Sequence, residues 1–432
     1  MVTQMNLKNI ISSLPSYPHK IMNVFSGTNS FDEFKQVLKA LLFDKDIVAS
    51  KDNNQYIKTI QNKFNAHHVY TFASGRMGFY TILKSLGIKK GDEIIIASYT
   101  CVVVPNAIIY TGAKPIYCDI NKLDFNIDVN KIEALITTKT KAIYAQHTFG
   151  QMCDIDAIKQ IANKYNLPVI EDVALSLGAK TNQSYAGTIG DFGYFSTDRT
   201  KIINTSVGGF VFVNNQKYLE NFETIYQNIS YLDKSFTKKL AITFLIDLLM
   251  MHPNMYWLGK FTNPLFRKLG IIKYFLDEQK HNKSDITEYP YPAKFSSILA
   301  LVGISQINNL ENNLTHRKKL AKYYNDILQI YPESYINSEK NVFLRYSFLV
   351  KNRDYWQKKF SSKIDLSIWF TTIAQGKNSN FEEIYYTVGQ NQTSEFVAKR
   401  IFNLPTHQKI DPTKIKKLLL ELKNSKDIIK CH

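Results

Sequence analysis

Lys201 lies in a polar segment between two apolar runs that resemble strands, and the amine of a lysine can bond covalently to an aldehyde. Such a lysine must lose its proton near neutral pH, which burial or a neighbouring cation favours. Arg199, two residues earlier, is the cation that the sequence offers for this purpose. The chain is rich in basic residues, so a solvent-exposed loop lysine is the alternative, and it is favoured when this segment is taken alone.

Two carboxylates, Glu171 and Asp172, follow the apolar run LPVI. Ligands of open α/β sheets bind outside the carboxyl ends of the strands. A carboxylate in an apolar setting needs a cationic partner, because an unpaired buried charge is costly. A protonated ring nitrogen would serve as that partner. The alternative is an aspartate that caps the next helix or pairs with a lysine.

Ser74, Gly75 and Arg76 stand where an amphipathic helix begins. The free backbone N–H groups of Gly75 and Arg76 would form an anion site at this helix end, and glycine permits close approach of the backbone. Ser196, at the end of a later strand, could hydrogen-bond a phosphate. An ordinary helix cap is the alternative. Phosphate, ring nitrogen and aldehyde are the groups by which a protein holds pyridoxal 5'-phosphate (PLP), so the three motifs together indicate this cofactor.

The elements that must position these motifs alternate regularly from about residue 69 to 215. Apolar strands such as EIIIASY, KAIYAQH and PVIEDV are separated by amphipathic helices. This pattern predicts an α/β fold with a mostly parallel sheet covered on both faces. We divide the chain into an N-terminal helical extension (1–60), a large α/β domain (61–309) and a smaller α+β domain (310–432).

Composition narrows the class of protein. The hydrophobic fraction of 44% suffices for a large core, and the net charge is +17. The four cysteines are too scattered for a disulfide framework or a zinc site, so no metal is expected. No helix-turn-helix or comparable motif accompanies the charge, which argues against nucleic-acid binding. The first twenty residues lack the pattern of a signal peptide, and the cytoplasm is the expected location.

An apolar, aromatic and basic insertion at about 220–285 interrupts the α/β pattern. The favoured interpretation is a helical subdomain or a dimer arm. The alternative is peripheral contact with an anionic membrane through 240–273. Aromatic anchors and basic residues would then face lipid: Tyr256, Trp257, Phe261, Phe266, Lys260, Arg267, Lys268 and Lys273.

Longer motifs point to a family. They are SGR at a helix start, GDEIIIASYT, GAKPIYCDI followed by FNID, TKAIYAQHTFGQMCDIDAI, LPVIEDVA, GTIGDFGYFS, Lys201 followed by VGG, and AKRIFNLPTH. In these motifs and their spacing the chain resembles the DegT/DnrJ/EryC1/StrS family of sugar aminotransferases, within the fold-type I PLP enzymes. The resemblance runs from about residue 70 to 215 and resumes over 290–420.

The resemblance implies an aspartate aminotransferase-like fold with a mostly parallel seven-stranded sheet. It implies that Lys201 holds PLP covalently and that Asp172 binds the ring nitrogen. The remaining cofactor ligands would be Ser74, Gly75, Arg76, Cys101 and Ser196, of which Cys101 stands where the family usually stacks an aromatic side chain on the ring.

Several positions depart from the family pattern. Leu175 and Leu177 replace polar residues after IEDVA, and Tyr99 could compensate for Cys101 only if its strand bends. Pro292 and Lys294 replace the Asn and Arg of a motif that reaches into the neighbouring subunit. These departures suggest an atypical substrate pocket. Retention of Lys201 disfavours the sugar-dehydratase branch, in which histidine replaces this lysine.

The implied reaction moves an amino group from an amino-acid donor, usually glutamate, to a keto-sugar, usually nucleotide-linked. Synthesis of cell-surface polysaccharide such as O-antigen is the expected role, and the family's homodimer is the expected assembly. The alternative is a catalytically impaired or regulatory protein on the same fold. His147 and His407 are interpreted as structural more readily than as catalytic.

Overall fold

A computed structural model describes residues 20–25, 27–181, 184–274 and 291–430. The start of the expected N-terminal extension and the end of the expected insertion, 275–285, lie outside the described residues. The strands are β1 Val69–Phe72, β2 Glu93–Ala97, β3 Thr100–Cys101, β4 Lys114–Cys118, β5 Thr140–Gln146, β6 Val169–Asp172, β7 Phe192–Ser196, β8 Gly209–Val213, β9 Arg345–Val350, β10 Ala374–Gln375, β11 Ile401–Pro405 and β12 Ile428–Ile429.

The central sheet has seven strands in the order β1-β8-β7-β6-β5-β2-β4. β8 runs antiparallel to both of its neighbours, and the other neighbouring strands are parallel. Strands such as β6 and β8 are buried along their whole length, as expected for a sheet with helices on both faces. The predicted fold class, a mostly parallel seven-stranded sheet flanked by helices, is confirmed.

The α-helices begin and end as follows: α1 Phe31–Phe43, α2 Lys51–Phe64, α3 Gly75–Ser85, α4 Val103–Tyr110, α5 Val129–Ile132, α6 Ile155–Lys164, α7 Leu219–Gln227, α8 Lys234–Met250, α9 Tyr256–Lys268, α10 Ser297–Asn308, α11 Leu310–Leu328, α12 Glu333–Asn337, α13 Arg353–Phe360, α14 Gln392–Arg400 and α15 Lys416–Asn424. Short 3-10 helices span Glu133–Leu135, Thr148–Gly150, Gln216–Tyr218, Phe381–Ile384 and Pro412–Ile415. Asp154 caps α6, because its side chain accepts a hydrogen bond from Ala157 N.

Two structural breaks bear on the expected domain boundaries. The helices α10 and α11 are separated at Asn309, next to the proposed boundary at 310. The proposed boundary at residue 60 falls inside α2, which packs against α10. At this contact Gly303 lies so close to the Tyr56 ring that a Cβ would come within 2.5 Å of it. The domain division stays a prediction.

The C-terminal residues form a three-stranded sheet in the order β11-β9-β12 and also contribute β10 to a separate two-stranded sheet with β3. β10 pairs with β3 in parallel, with Gln375 opposite Cys101. Side chains from the two halves of the chain therefore meet where β3 ends, which is the region that carries the candidate site.

The described part of the insertion contains α7, α8 and α9, and among the described residues every helix is too short or too polar to cross a bilayer. Tyr256, one of the expected membrane anchors, is buried, and its hydroxyl donates to Asp365 at 2.7 Å. Lys260 forms an ion pair with the same carboxylate at 3.1 Å. The buried position of Tyr256 contradicts the lipid-facing role given to it from sequence, whereas the Lys260 side chain remains 47% exposed.

Candidate active site

Lys201 lies in the loop between β7 and β8, where its backbone N–H donates to Asp198 O at 2.9 Å. Its Nζ is 5.2 Å from the centre of the Trp369 ring. Burial lowers the pKa of Lys201, and the nearby Asp198, Cys101 and Asp172 oppose this shift. The lysine, the strand-end aspartate and the cysteine predicted from sequence are therefore brought into one site.

Arg345 is the cation that helps to lower the pKa of Lys201. Arg199, which the sequence suggested for this role, is engaged elsewhere. Its Nη1 lies 3.5 Å from Asp247 Oδ2 on α8, and its guanidinium stacks over the Tyr274 ring at 4.1 Å. The prediction for Arg199 is corrected accordingly, because a carboxylate of the insertion neutralises its charge.

Asp172 stands at the carboxyl end of β6 and is 5% exposed. Its Oδ2 accepts a hydrogen bond from Tyr144 OH at 2.5 Å, and its Oδ1 accepts one from Ala174 N at 2.8 Å. Tyr144 OH also hydrogen-bonds Tyr194 OH. Within the described ranges no lysine, arginine or histidine forms an ion pair with Asp172, so this buried carboxylate has hydrogen bonds but no cationic partner. A protonated ring nitrogen fits that requirement.

Glu171, the neighbouring carboxylate, has a structural task. It accepts hydrogen bonds from the backbone N–H groups of Gly187, Ile189 and Gly190. Its Oε2 also lies 3.0 Å from His147 Nε2. Because His147 Nδ1 accepts from Cys153 N at 3.1 Å, the Nε2 atom is the protonated one and donates to Glu171. His147 is fully buried in this network, in agreement with its structural interpretation.

Gly75, at the start of α3, meets the end of β7. A Cβ on Gly75 would lie 2.7 Å from Phe195 O and 3.0 Å from Ser196 Cβ, so only glycine permits this approach. The Ser74 hydroxyl is buried and has no hydrogen-bond partner among the described residues. The N-terminus of α3 therefore lies beside Ser196, and the buried Ser74 hydroxyl is at the same helix end. Together these groups fit a phosphate.

Cys101 borders the site from β3, and its Sγ donates to Gln375 O at 3.6 Å. Burial raises the pKa of the Cys101 thiol, which favours its neutral form. Tyr99 does not replace it, because the Tyr99 ring is buried and its hydroxyl donates to Phe370 O at 2.9 Å. Leu175 and Leu177 are each 3% exposed and belong to the hydrophobic core.

Sequence reasoning missed Trp369 and Arg345. The Arg345 guanidinium stacks on the Trp369 ring at 4.3 Å, and Lys201 Nζ approaches the same ring. The available signal was an arginine at the start of the apolar segment RYSFLV, where a buried charge requires a reason. Lys294, expected to reach a second subunit, contacts its own chain through Gln227 O at 3.3 Å.

Two features define the class of protein. The central sheet has seven mostly parallel strands, and its carboxyl edge carries an aspartate without a cationic partner next to a buried lysine. It is the fold of the PLP-dependent transferases of the aspartate aminotransferase type. The sequence matches the DegT/DnrJ/EryC1/StrS aminotransferase family over residues 29–423. The chain therefore belongs to this family of aminotransferases, as its motifs indicated.

Individual relatives agree with this assignment. GDP-perosamine synthase from Escherichia coli O157:H7 is 30% identical over 311 residues, which is 70% of each chain. GDP-perosamine synthase from Caulobacter vibrioides is 38% identical over 160 residues, covering 37% of this chain and 43% of that protein.

Solved structures share the fold at low identity. A DegT DnrJ EryC1 StrS aminotransferase from Brucella abortus has a TM-score of 0.66 at 18% identity, covering 92% of this chain and 96% of that one. A GDP-4-keto-6-deoxy-D-mannose-3-dehydratase from E. coli with bound hydrated PLP has a TM-score of 0.69 at 20% identity, covering 94% and 99%. Because both structures are this similar, the fold alone does not choose between their reactions.

Proposed function

We propose that this aminotransferase uses PLP to move an amino group from an amino-acid donor, glutamate first among candidates, to a keto-sugar carried on a nucleotide. The observation that supports it most directly is the buried Asp172, which lacks a cationic partner, close to a lysine of lowered pKa. The similarity to GDP-perosamine synthases supports the sugar substrate and a role in cell-surface polysaccharide synthesis, O-antigen included. No observation favours the alternative of an impaired or regulatory protein.

PLP, when bound, supplies an aldehyde that accepts the amino group and a ring that accepts electrons. In our proposal Lys201 holds the cofactor covalently and, once released, moves a proton to and from the carbon that gains or loses the amino group. Asp172 binds the ring nitrogen and keeps it protonated. The Tyr144 hydroxyl and the Ala174 N–H fix the orientation of the Asp172 carboxylate.

The phosphate would be bound by the backbone N–H groups of Gly75 and Arg76 and by the hydroxyls of Ser74 and Ser196. Cys101 would lie against the ring, where a small side chain leaves more room than an aromatic one. This extra room is the structural reason to expect an unusual keto-sugar substrate.

A substrate screen tests the proposal. Purified protein with PLP and glutamate would be incubated with a panel of keto-sugar nucleotides, and the products analysed by mass spectrometry. Replacement of a keto oxygen by an amino group in one panel member is the expected result, and the Lys201→Ala variant should give none. Loss of water from the sugar without amination would instead assign the protein to dehydratase chemistry.

The proposal also covers the assembly and the location of the protein. A homodimer is inferred from the family, with Lys294 near the subunit interface, and light scattering after size-exclusion chromatography would test it.

The protein would work in the cytoplasm. Peripheral membrane contact would now depend on the exposed Leu265, Leu269 and Ile271 of the insertion rather than on Tyr256. Flotation with anionic liposomes, before and after replacing these three residues by serine, would test that contact.

A further inference from the structure

The insertion contacts two loops that border the candidate active site. Lys201 lies in the first loop, 197–206, and Trp369, whose ring centre is 5.2 Å from Lys201 Nζ, lies in the second, 365–370. A narrow cavity beside Lys201 is lined by Arg199, Arg317, Arg345 and His407 together with this lysine. One carboxylate joins the insertion to each loop, so the insertion reaches the site from two sides.

The first contact joins α8 to the loop that carries Lys201. Asp247 on α8 has a side chain that is 4% exposed, and its Oδ2 lies 3.5 Å from Arg199 Nη1. The Tyr274 ring covers the same guanidinium, and the Tyr274 hydroxyl donates to Asp247 Oδ1 at 2.7 Å. The backbone carbonyl of Arg199 accepts from Asn204 Nδ2 at 3.3 Å. The ion pair therefore restrains the backbone two residues from Lys201 and, through Asn204, the far end of the loop.

The second contact joins α9 to the loop that carries Trp369. Asp365 accepts the Tyr256 hydroxyl on Oδ2 at 2.7 Å and the backbone N–H of Ser367 on Oδ1 at 3.1 Å. Ser367 O in turn accepts from Arg345 Nη1 at 2.7 Å, and the Arg345 guanidinium stacks on the Trp369 ring. A chain of contacts thus runs from α9 to the aromatic ring beside the cofactor lysine.

The helices α8 and α9 are held together as one unit. Asn263 on α9 donates to Asp247 Oδ1 at 3.3 Å and to Tyr274 OH at 2.7 Å. Gly259 lies so close to the end of α8 that a Cβ would come within 2.4 Å of Met250 O, so a side chain there would separate the two helices. Because the helices form one framework, the two contacts fix the two loops relative to each other.

We propose that the insertion positions the active site, with Asp247 holding the Lys201 loop through Arg199 and Tyr256 holding the Trp369 loop through Asp365. All four are positioning residues, since they act on the site through other groups. The inference rests on the proposed aminotransferase function and gives the helical insertion a part in it. An insertion that only adds stability to the fold is the alternative, and the experiments separate the two.

The first measurement is hydrogen–deuterium exchange of the full-length protein as purified, followed in peptides that cover 197–206 and 365–370. Asp247→Asn should speed exchange in 197–206 by about tenfold or more and leave 365–370 unchanged, because only the first contact is lost. Tyr256→Phe keeps the ring but not the hydroxyl, so it should speed exchange in 365–370 by about fivefold and leave 197–206 unchanged.

Two control variants leave both contacts in place. Lys234→Gln removes another contact of α8, the hydrogen bond to Lys45 O, and should leave both peptides unchanged. Leu419→Ala opens a cavity under α15 and lowers the stability of the whole fold, so it should change both peptides to the same extent. If Asp247→Asn also affects the two peptides equally, the insertion only stabilises the fold and the inference is overturned.

A second variant covers the case in which Asp247→Asn does not fold. The double substitution Arg199→Met and Asp247→Leu removes both charges together, and buried ion pairs replaced by apolar residues usually leave a folded protein. This variant lacks the directional contact and should speed exchange in 197–206 alone. Unchanged exchange there in the folded double variant would likewise overturn the inference.

The second measurement is visible circular dichroism of the PLP-loaded protein, which reports how the bound cofactor is oriented. Asp247→Asn and Tyr256→Phe should each weaken the signal per bound cofactor, whereas Lys234→Gln and Leu419→Ala should not. Unaltered circular dichroism in both of the first two variants would overturn the inference. If the exchange results are as expected but the protein takes up no PLP, the proposed function fails while the link between the insertion and the two loops stands.

Discussion

Of the three arginines that line the cavity beside Lys201, Arg199 and Arg345 differ in which groups surround their charges. Arg199 lies against Asp247 and the Tyr274 ring, both contributed by the insertion. Arg345 has backbone carbonyls and the face of Trp369. The Arg199 charge is neutralised within the chain, whereas the Arg345 guanidinium hydrogen-bonds only neutral groups among the described residues.

The largest expected effect comes from removing the carboxylate that neutralises Arg199. Asp247→Asn should lower the free energy of unfolding by about 3 kcal/mol, because it leaves the largely buried Arg199 side chain, 19% exposed, without its counter-ion. Urea unfolding at pH 7 measures the change. As a control, Asp326→Asn removes an exposed ion pair with Lys322 and should cost no more than about 1 kcal/mol. Equal effects of the two substitutions would refute a structural role for the Arg199 contact.

The difference between the two arginines also shows what the sequence could predict. Lys201 and Asp172 were found because strand ends and motif spacing are local properties of the chain. Asp247 was visible as a charge within an apolar run, but its partner lies about fifty residues away and no local signal names it. Arg345 and Trp369 reach the site through the pairing of β10 with β3, which only the folded chain brings about.

His407, which lines the same cavity as Arg345, makes the stability of the protein depend on pH. His407 is buried near Arg317, its Nε2–H donates to Asn23 O, and burial lowers its pKa to about 3. The unfolded chain binds a proton near pH 6.5 and the folded chain does not, so stability falls as the pH drops from about 6.5 towards 3. The loss at pH 4 is up to about 3 kcal/mol.

His407→Gln should remove most of this acid sensitivity, since glutamine can still donate to Asn23 O and does not titrate. Urea unfolding of the variant and the wild type at pH 7 and pH 4 gives the comparison. If both proteins lose the same free energy of unfolding between the two pH values, other groups govern the acid response.

The smallest expected effect on stability is that of Arg345→Gln. Two lost hydrogen bonds are offset by removal of a buried charge, so the free energy of unfolding should change by no more than about 1 kcal/mol. Urea unfolding of the variant and of the wild type at pH 7 measures the change. A loss as large as that of Asp247→Asn would mean that both arginines serve the fold, and the contrast between them would disappear.

The account depends most on covalent attachment of PLP to Lys201 opposite Asp172, and borohydride reduction tests this directly. The loaded protein should absorb at about 400–430 nm, and reduction should abolish that absorbance. Mass spectrometry of a digest should then find the pyridoxyl group on the peptide that contains Lys201, with no such label in Lys201→Ala. A label on a different lysine, or a folded protein that takes up no PLP, would contradict the account.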